Sequence, residues 1–305
     1  MSETVEARVV ATFGRHMTVR DAAGRRLRAR PFGRSVTVVC GDEVRCRADP
    51  RHDELHVVEI LPRHGALYRT NARGHAEPVV ANLSHLLVVL APVPVPDLFV
   101  VDRYLAAAAS ANIAATLVVN KEELGVDAAL AAGLAAYAAA GYTTLRCSAQ
   151  SGAGSEALLE ALPPGAVAAL VGQSGVGKSS LIARLLPGEQ IAIGELVREE
   201  EGRHTTTAAR LFDLPGERAL IDSPGVRDFA PALESLEPRS LGFVEVERLA
   251  SECRFLDCRH MREPGCAVRA AAEAGALHAR RYESYRRLRR LGEDLSAARG
   301  PGRKR

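Results

Sequence analysis

Lysine is almost missing from this chain. Of its 40 basic residues only Lys121, Lys178 and Lys304 are lysine; all others are arginine. Two of those three sit inside "NKEE" and "GKSS". A phosphate-cradling loop needs a compact ammonium on a thin stem, which a planar guanidinium does not replace. The scarcity therefore marks both segments as places where chemistry, and not charge alone, sets the residue. Long apolar runs are missing as well. The longest, "LLVVLAPVPVPDLFVV", is broken by three prolines and an aspartate, which excludes a membrane-spanning helix. The first residues, "MSETVEARVV", lack the basic start and apolar core of an export signal. Cysteines number only six, three of them bunched near the C-terminus, a placement that suits a metal better than disulfides. Together these absences predict a cytoplasmic protein with no membrane partner; it is also expected to be a monomer.

What is present bounds the class further. A chain of 305 residues predicts two or three domains, and 47% apolar with 25% charged residues describes a globular protein. The net charge of +3 hides an asymmetry: from Arg280 to Arg305 ten basic residues face three acids. Such a tail suits a phosphate backbone, and it equally suits a solvated helix.

Residues 1–65 read as five short strands, "EARVVATF", "HMTVRDAAG", "RRLRARP", "SVTVVCGDEVRC" and "LHVVEILP", with glycine and charged turns between them. That spacing predicts a small all-β barrel, an OB-fold, or another small antiparallel domain. From about residue 79 strands alternate with helices. "HLLVVLAP", "AATLVVN", "TTLRCSAQ" and "AVAALVG" are strands, and "LFVVDRYLAAAASAN" and "AALAAGLAAYAAAG" are helices, the second ending at Gly141. The alternation predicts an α/β unit with a mostly parallel sheet covered on both faces. "ARLFDLP" and "RALIDSP" complete it near residue 225, and a mostly helical cysteine-containing region follows. The divisions expected are the all-β barrel domain at 1–65, an α/β domain at 66–235, and a mostly helical, cysteine-containing domain with a basic tail at 236–305.

The motif "GQSGVGKSS" has an apolar strand before it and a helix after it, the context of a phosphate loop. Its residues are Gly172, Gln173, Ser174, Gly175, Val176, Gly177, Lys178, Ser179 and Ser180. Glycines let successive N–H groups cradle phosphate oxygens, Lys178 reaches the β- and γ-phosphates, and the Ser179 hydroxyl takes one Mg²⁺ position. In "IDSPG", Asp222 can hold a water on Mg²⁺ and the Gly225 N–H can sense a γ-phosphate. Between them lies "GRHTTT", in which Thr205 or Thr206 would bind Mg²⁺ only in the triphosphate state; a plain threonine-rich strand start is the other reading.

"VVNKEELG" resembles the segment with which GTPases read guanine, although it precedes the phosphate loop. Asn120 and Lys121 follow a buried strand, and the carboxylate of Glu123 can accept both N1–H and N2–H of guanine, a pair adenine does not offer. "CSAQSG" adds Ser148 and Ala149, where a backbone N–H can meet guanine O6. Rotating the last three motifs to the front restores the usual GTPase order, so the domain reads as circularly permuted. The switch around Gly225 then runs directly into the C-terminal region, which nucleotide state would move as a lever.

That region carries Cys253, Cys258, His260 and Cys266. Three thiolates and one imidazole make a closed tetrahedral zinc site, structural and not catalytic; buried unliganded cysteines are the other reading. Cys40, Cys46 and Cys147 read as core residues.

With these motifs in place the chain resembles the ribosome small-subunit-dependent GTPase A (RsgA) family over essentially its whole length. "VVANLSHLLVV" and "DRYLAAA" also look like that family's segments. The resemblance implies an OB-fold, Mg²⁺ and zinc as cofactors, GTP as substrate, and GTP hydrolysis stimulated by the small ribosomal subunit during its late maturation. It also favours Thr206 as the Mg²⁺ ligand and His204 as the catalytic residue that positions water; the rival reading has His204 merely packing or capping the loop. Two departures stand out. Glu123 occupies a position where the family has aspartate, one methylene shorter. Val226 follows Gly225 where many GTPases carry a water-orienting glutamine, so intrinsic hydrolysis is expected to be slow. Two other readings remain: an RNA-binding assembly scaffold for which GTP is only an occupancy signal, and an ATP-using P-loop enzyme, which "NKEE" and "CSAQ" argue against.

Overall fold

The computed structural model describes residues 4–33, 37–48, 54–186, 209–227 and 229–298. Its first five strands are β1 (Thr4–Phe13), β2 (His16–Asp21), β3 (Arg26–Pro31), β4 (Glu43–Ala48) and β5 (Leu55–Ile60). β1 pairs with both β2 and β4, and β3 runs parallel to β5, so the strands close in the order 1-2-3-5-4. This is the expected OB-type barrel. Alternate residues of each strand fill it, among them Val9, Val19, Ala29, Val44, Cys46 and Val57.

The barrel is not a separate bead. A bulge between Val9 and Ala11 breaks the register of β1 on β2, and beyond it Ala11 and Thr12 pair with Arg210 and Ala209 of β12 (Ala209–Leu214). The extra residue turns consecutive valines to different cores: Val9 points into the barrel, Val10 into the large core of the next unit. One continuous sheet of 11 strands results. A hairpin, β6 (Leu67–Thr70) and β7 (Ala76–Val80), stands apart from it and was not expected from the sequence.

The remaining strands of the large sheet are β8 (His85–Leu90), β9 (Ala114–Val119), β10 (Thr143–Arg146), β11 (Val167–Val171) and β13 (Arg218–Asp222). These five are mutually parallel in the order 10-9-8-11-13, and β12, antiparallel to β13, links them to β1. Their near-continuous apolar runs follow from burial on both faces. Along β8, Leu86, Val88 and Leu90 face one core while Leu87 and Val89 face the other. The first face is covered by α1 (Leu98–Ser110) and α2 (Ala128–Ala140), the second by α3 (Ser155–Glu160) and α4 (Lys178–Leu185). Asp127 caps α2 through Leu130 N–H, and Gly141 ends it in the left-handed region, as the sequence predicts.

After the short helix α5 (Pro224–Arg227), the chain reaches the hairpin, where Tyr68 O accepts from Ala232 N–H at 2.8 Å. It then forms α6 (Val244–Ala250), α7 (Ala267–Glu273) and α8 (Ala279–Ala298). This C-terminal unit shares its core with α1 and α2; Phe243, Val246, Tyr285 and Leu288 belong to the same apolar cluster as Val101 and Leu105. At the seam Arg281 is 1% exposed. Its Nη1 donates to Asp102 Oδ1 at 2.7 Å, and its Nε and Nη2 donate to the two carboxylate oxygens of Glu245 at 2.6 and 2.9 Å. Arg280 donates to Asp102 Oδ2 at 2.7 Å, and Tyr137 O–H to Asp102 Oδ1 at 2.8 Å. The expected lever is thus docked on α1 through buried charge, and any movement of the C-terminal unit carries α1 with it or breaks this network.

Candidate nucleotide site and metal cluster

The motif residues that the structure describes gather at the carboxyl ends of the parallel strands, where open α/β sheets bind ligands. The loop 172–177 leaves β11 and enters α4. At Gly172 (φ +152°) an added Cβ would lie 2.2 Å from Val89 O, so only glycine lets the loop pass the neighbouring strand. At Gly177 (φ +94°) it would lie 2.3 Å from Asn120 Nδ2. The tight fit brings the end of β9 onto the phosphate loop.

Asn120, 1% exposed, is the tie between segments. Its Nδ2 donates to Val176 O at 2.9 Å and its Oδ1 accepts from Ala149 N–H at 3.0 Å. Lys121, held at φ +60°, donates its Nζ to Val93 O and Gly175 O, both at 2.8 Å. Lys178 donates to Gly172 O at 2.6 Å and Gln173 O at 2.8 Å, which places its ammonium over the loop mouth. Gln173 Oε1 accepts from Asp97 N–H at 2.8 Å, joining the loop to the start of α1. Ser179 and Ser180 are exposed in the first turn of α4, and Ser174 and Gly175 are exposed in the loop.

Glu123 is exposed in the turn Glu122–Leu124, beside Lys121. Ser148 is buried, its Oγ accepting from Ser151 N–H at 3.2 Å. The N–H groups of Ser148 and Ala149 both have acceptors within the protein, Ala153 O at 2.9 Å and Asn120 Oδ1 at 3.0 Å. Reading of a guanine O6 at this pair therefore requires Ala149 N–H to be shared or exchanged. Asp222 ends β13, and Gly225 lies in α5 against Val79. Val226 is 1% exposed and packed in the core, so its side chain is turned away from solvent as well as being apolar. His204, Thr205 and Thr206 lie outside the described residues.

Sequence reasoning missed the segment 93–97. Val93 O and Asp97 N–H both brace the phosphate loop from the neighbouring strand connection, and Pro94 lies where a Cβ on Gly175 would touch it. The proline-rich string "PVPVPD" was the available signal, a rigid turn directly after a buried strand.

In the C-terminal unit the ligand atoms of Cys253, Cys258, His260 and Cys266 all lie within 4.8 Å of one another. His260 turns Nδ1 to the cluster, 3.4 Å from Cys253 Sγ and 3.6 Å from Cys266 Sγ. Its backbone sits at φ +59°, and Tyr282 O–H holds its carbonyl at 2.7 Å. Burial pushes the Cys258 thiol up to about 12 and, with Arg289 and Arg239 nearby, pulls the His260 imidazole down to about 4. Burial alone would raise Glu263, but the backbone N–H groups of Met261, Arg262 and Arg259 hold it at about 2, fixing the knuckle between the ligands. Three sulfurs, those of Cys258 and Cys266 buried and that of Cys253 half-buried, with one buried imidazole nitrogen fit a soft, four-coordinate dication and not Mg²⁺ or Ca²⁺.

A phosphate loop at the carboxyl end of a parallel sheet, with the base-reading segment upstream of it in the chain, defines the class of circularly permuted P-loop GTPases. The chain belongs to the RsgA GTPase family, whose model matches residues 60–231. A small ribosomal subunit biogenesis GTPase RsgA of Azotobacter vinelandii is 42% identical over 288 residues, covering 92% of this chain and 83% of that protein. The protein of the same name from Pseudomonas aeruginosa is 42% identical over 285 residues with the same coverage. The crystal structure of YjeQ from Thermotoga maritima superposes with a TM-score of 0.73 at 26% identity, covering 95% of this chain and 98% of the other. The crystal structure of YloQ, a circularly permuted GTPase, shares the fold with a TM-score of 0.70 at 22% identity, covering 98% of this chain and 97% of the other.

Proposed function

We propose that this protein hydrolyses GTP in response to the small ribosomal subunit and acts in the late maturation of that subunit. The observation that carries the reading is the tie made by Asn120: one side chain joins the phosphate loop to both base-reading segments, so nucleotide identity and phosphate state are read by a single rigid unit. The names of the 42% identical relatives support the biological setting.

In this reading the N–H groups of residues 172–180 hold the phosphates with Lys178, while Asn120, Lys121, Glu123, Ser148 and Ala149 hold guanine. Ser179, Thr206 and Asp222 hold Mg²⁺, which neutralises charge on the phosphate oxygens. Gly225 senses the γ-phosphate. With Val226 buried, the water is positioned by His204, and the productive geometry is completed on the partner. The three divisions at 1–65, 66–235 and 236–305 act as RNA-binding barrel, motor and zinc unit. The setting is cytoplasmic; among the described residues no helix is long and apolar enough to cross a membrane. The chain works as a monomer on its ribosomal partner.

The test is GTP turnover by the protein alone, with isolated small subunits and with isolated large subunits. Stimulation by small subunits only is the expected result, and equal rates in all three overturn the reading. His204→Ala should abolish the stimulated rate; if that variant still completes subunit maturation, GTP is only an occupancy signal.

Replacing Glu123 by alanine removes two hydrogen bonds to a charged acceptor, each worth about 1.5–3 kcal/mol. GDP affinity measured by fluorescence titration should fall at least tenfold (~1.4 kcal/mol), with ATP affinity unchanged. A GDP affinity within about twofold of wild type would show that the carboxylate does not read the base.

The sulfur-rich cluster is assigned to one structural Zn²⁺ held by Cys253, Cys258, His260 and Cys266. Elemental analysis should give one zinc per chain, and Cys258→Ser should lose it. Because folding of such a site is coupled to metal binding by roughly 10 kcal/mol or more, chelation should open the segment between α6 and α7 to proteolysis. Resistance equal to that of the loaded protein would exclude a structural metal.

A further inference from the structure

The basic character of α8 is largely consumed inside the protein. Arg280 and Arg281 serve Asp102 and Glu245. Arg286 and Arg290 both reach Glu283, and Arg289 donates to Pro238 O at 2.8 Å and Arg239 O at 2.7 Å. Arg287 is different. It is exposed, and its guanidinium lies over the Phe99 ring, 4.0 Å from the centroid, with no carboxylate or carbonyl on it among the described residues.

One helical turn along α1 from Phe99 is Arg103, close enough to feel the charge of Arg287, and its Nε is buried without a hydrogen-bond partner. Burial holds this guanidinium below its ordinary value; Tyr104 offsets that in part, Arg287 pushes the same way as burial, and Asp97 offsets the two only weakly. A half-buried cation beside a second cation is unfavourable in the free protein, and it becomes favourable when one anion accepts from both. Stacking on Phe99 leaves the edge N–H groups of Arg287 available for such donation.

We propose that Arg103 and Arg287 clamp a backbone phosphate of RNA at the seam between the GTPase sheet and the C-terminal unit. With Phe99 covered by Arg287, the site offers donors and no open aromatic face, so it holds backbone and not a base. An RNA strand bound here bridges α1 and α8. The same α1 begins at Asp97, whose N–H is held by Gln173 of the phosphate loop. The clamp rests on the small-subunit reading given above and names a contact within it.

The experiment is a salt titration of binding to isolated small subunits by the full-length protein, Arg103→Gln, Arg287→Gln, the double variant and Arg287→Lys. The double variant is expected to bind about tenfold more weakly at moderate salt, with the slope of log affinity against log salt reduced by about one. Arg287→Lys should keep the slope. Basal GTP turnover should match wild type in all four, and thermal stability should fall only slightly, by the loss of the Arg287 contact with the Phe99 ring where glutamine replaces Arg287. Wild-type binding with an unchanged slope in the double variant overturns the clamp alone. Absence of wild-type binding overturns the small-subunit reading and the clamp together.

Discussion

An Arg281→Met chain is expected to melt about 10 °C below the wild type. The substitution preserves length and removes the fork that satisfies Asp102 and Glu245, both buried. Breaking a buried ion network by deleting one partner costs about 3–5 kcal/mol, because the remaining charge is left without compensation. At roughly 2–4 °C per kcal/mol for chains approaching this size, differential scanning calorimetry resolves the effect easily. Arg280 still covers Asp102 Oδ2, so Glu245 is the group most exposed to the loss. Adding Glu245→Leu to Arg281→Met should therefore recover part of the stability, a non-additivity that only direct contact produces. A single variant that melts within a degree of wild type would mean that apolar packing alone holds the C-terminal unit on α1.

Lys178→Ala is expected to reduce GTP turnover by about 10²–10³-fold, the typical effect of deleting one preorganised donor to developing charge. Folding should survive. The ammonium donates to two loop carbonyls, Gly172 O and Gln173 O, that also line the loop mouth where water enters once the side chain is gone. Lys178→Arg should fail nearly as badly, since a planar fork does not fit the space of a compact ammonium. That contrast bears directly on the near-absence of lysine from the chain. If arginine restored turnover to within about threefold, charge alone would suffice at this position and the rarity of lysine would carry no chemical meaning.

How much was legible beforehand depends on the range of the forces involved. The phosphate loop, the Asn-Lys segment and the cysteine-histidine cluster are local: each is a run in which glycine conformation, a strand end or close cysteine spacing is written in adjacent residues. The alternation of strands and helices from residue 79 was equally legible, because two-sided burial demands continuous apolar runs and "HLLVVLAP" and "AVAALVG" supply them. The short hairpin of β6 and β7 was not, because four or five residues with mixed burial carry no periodic signal. The commitment of Ala149 N–H to Asn120 was also invisible, since it depends on the loop after β10 folding back on the end of β9.

The sequence by itself determined the class of chemistry. Lysine at two constrained positions, glycine where the loop approaches neighbouring backbone, and three cysteines with one histidine are properties of residue type, and residue type is local. Only the tertiary structure decided which charges remain available. Arg280, Arg281, Arg286, Arg287, Arg289 and Arg290 read alike in one basic helix, yet folding seals two of them against Asp102 and Glu245, supplies hydrogen-bond acceptors to three more, and leaves Arg287 over the Phe99 ring. The bulge at Val10, which fuses barrel and nucleotide sheet, was decided the same way. Coulomb energy and packing depend on distance in space, and for residues 179 positions apart such as Asp102 and Arg281 the chain does not fix that distance until it has folded.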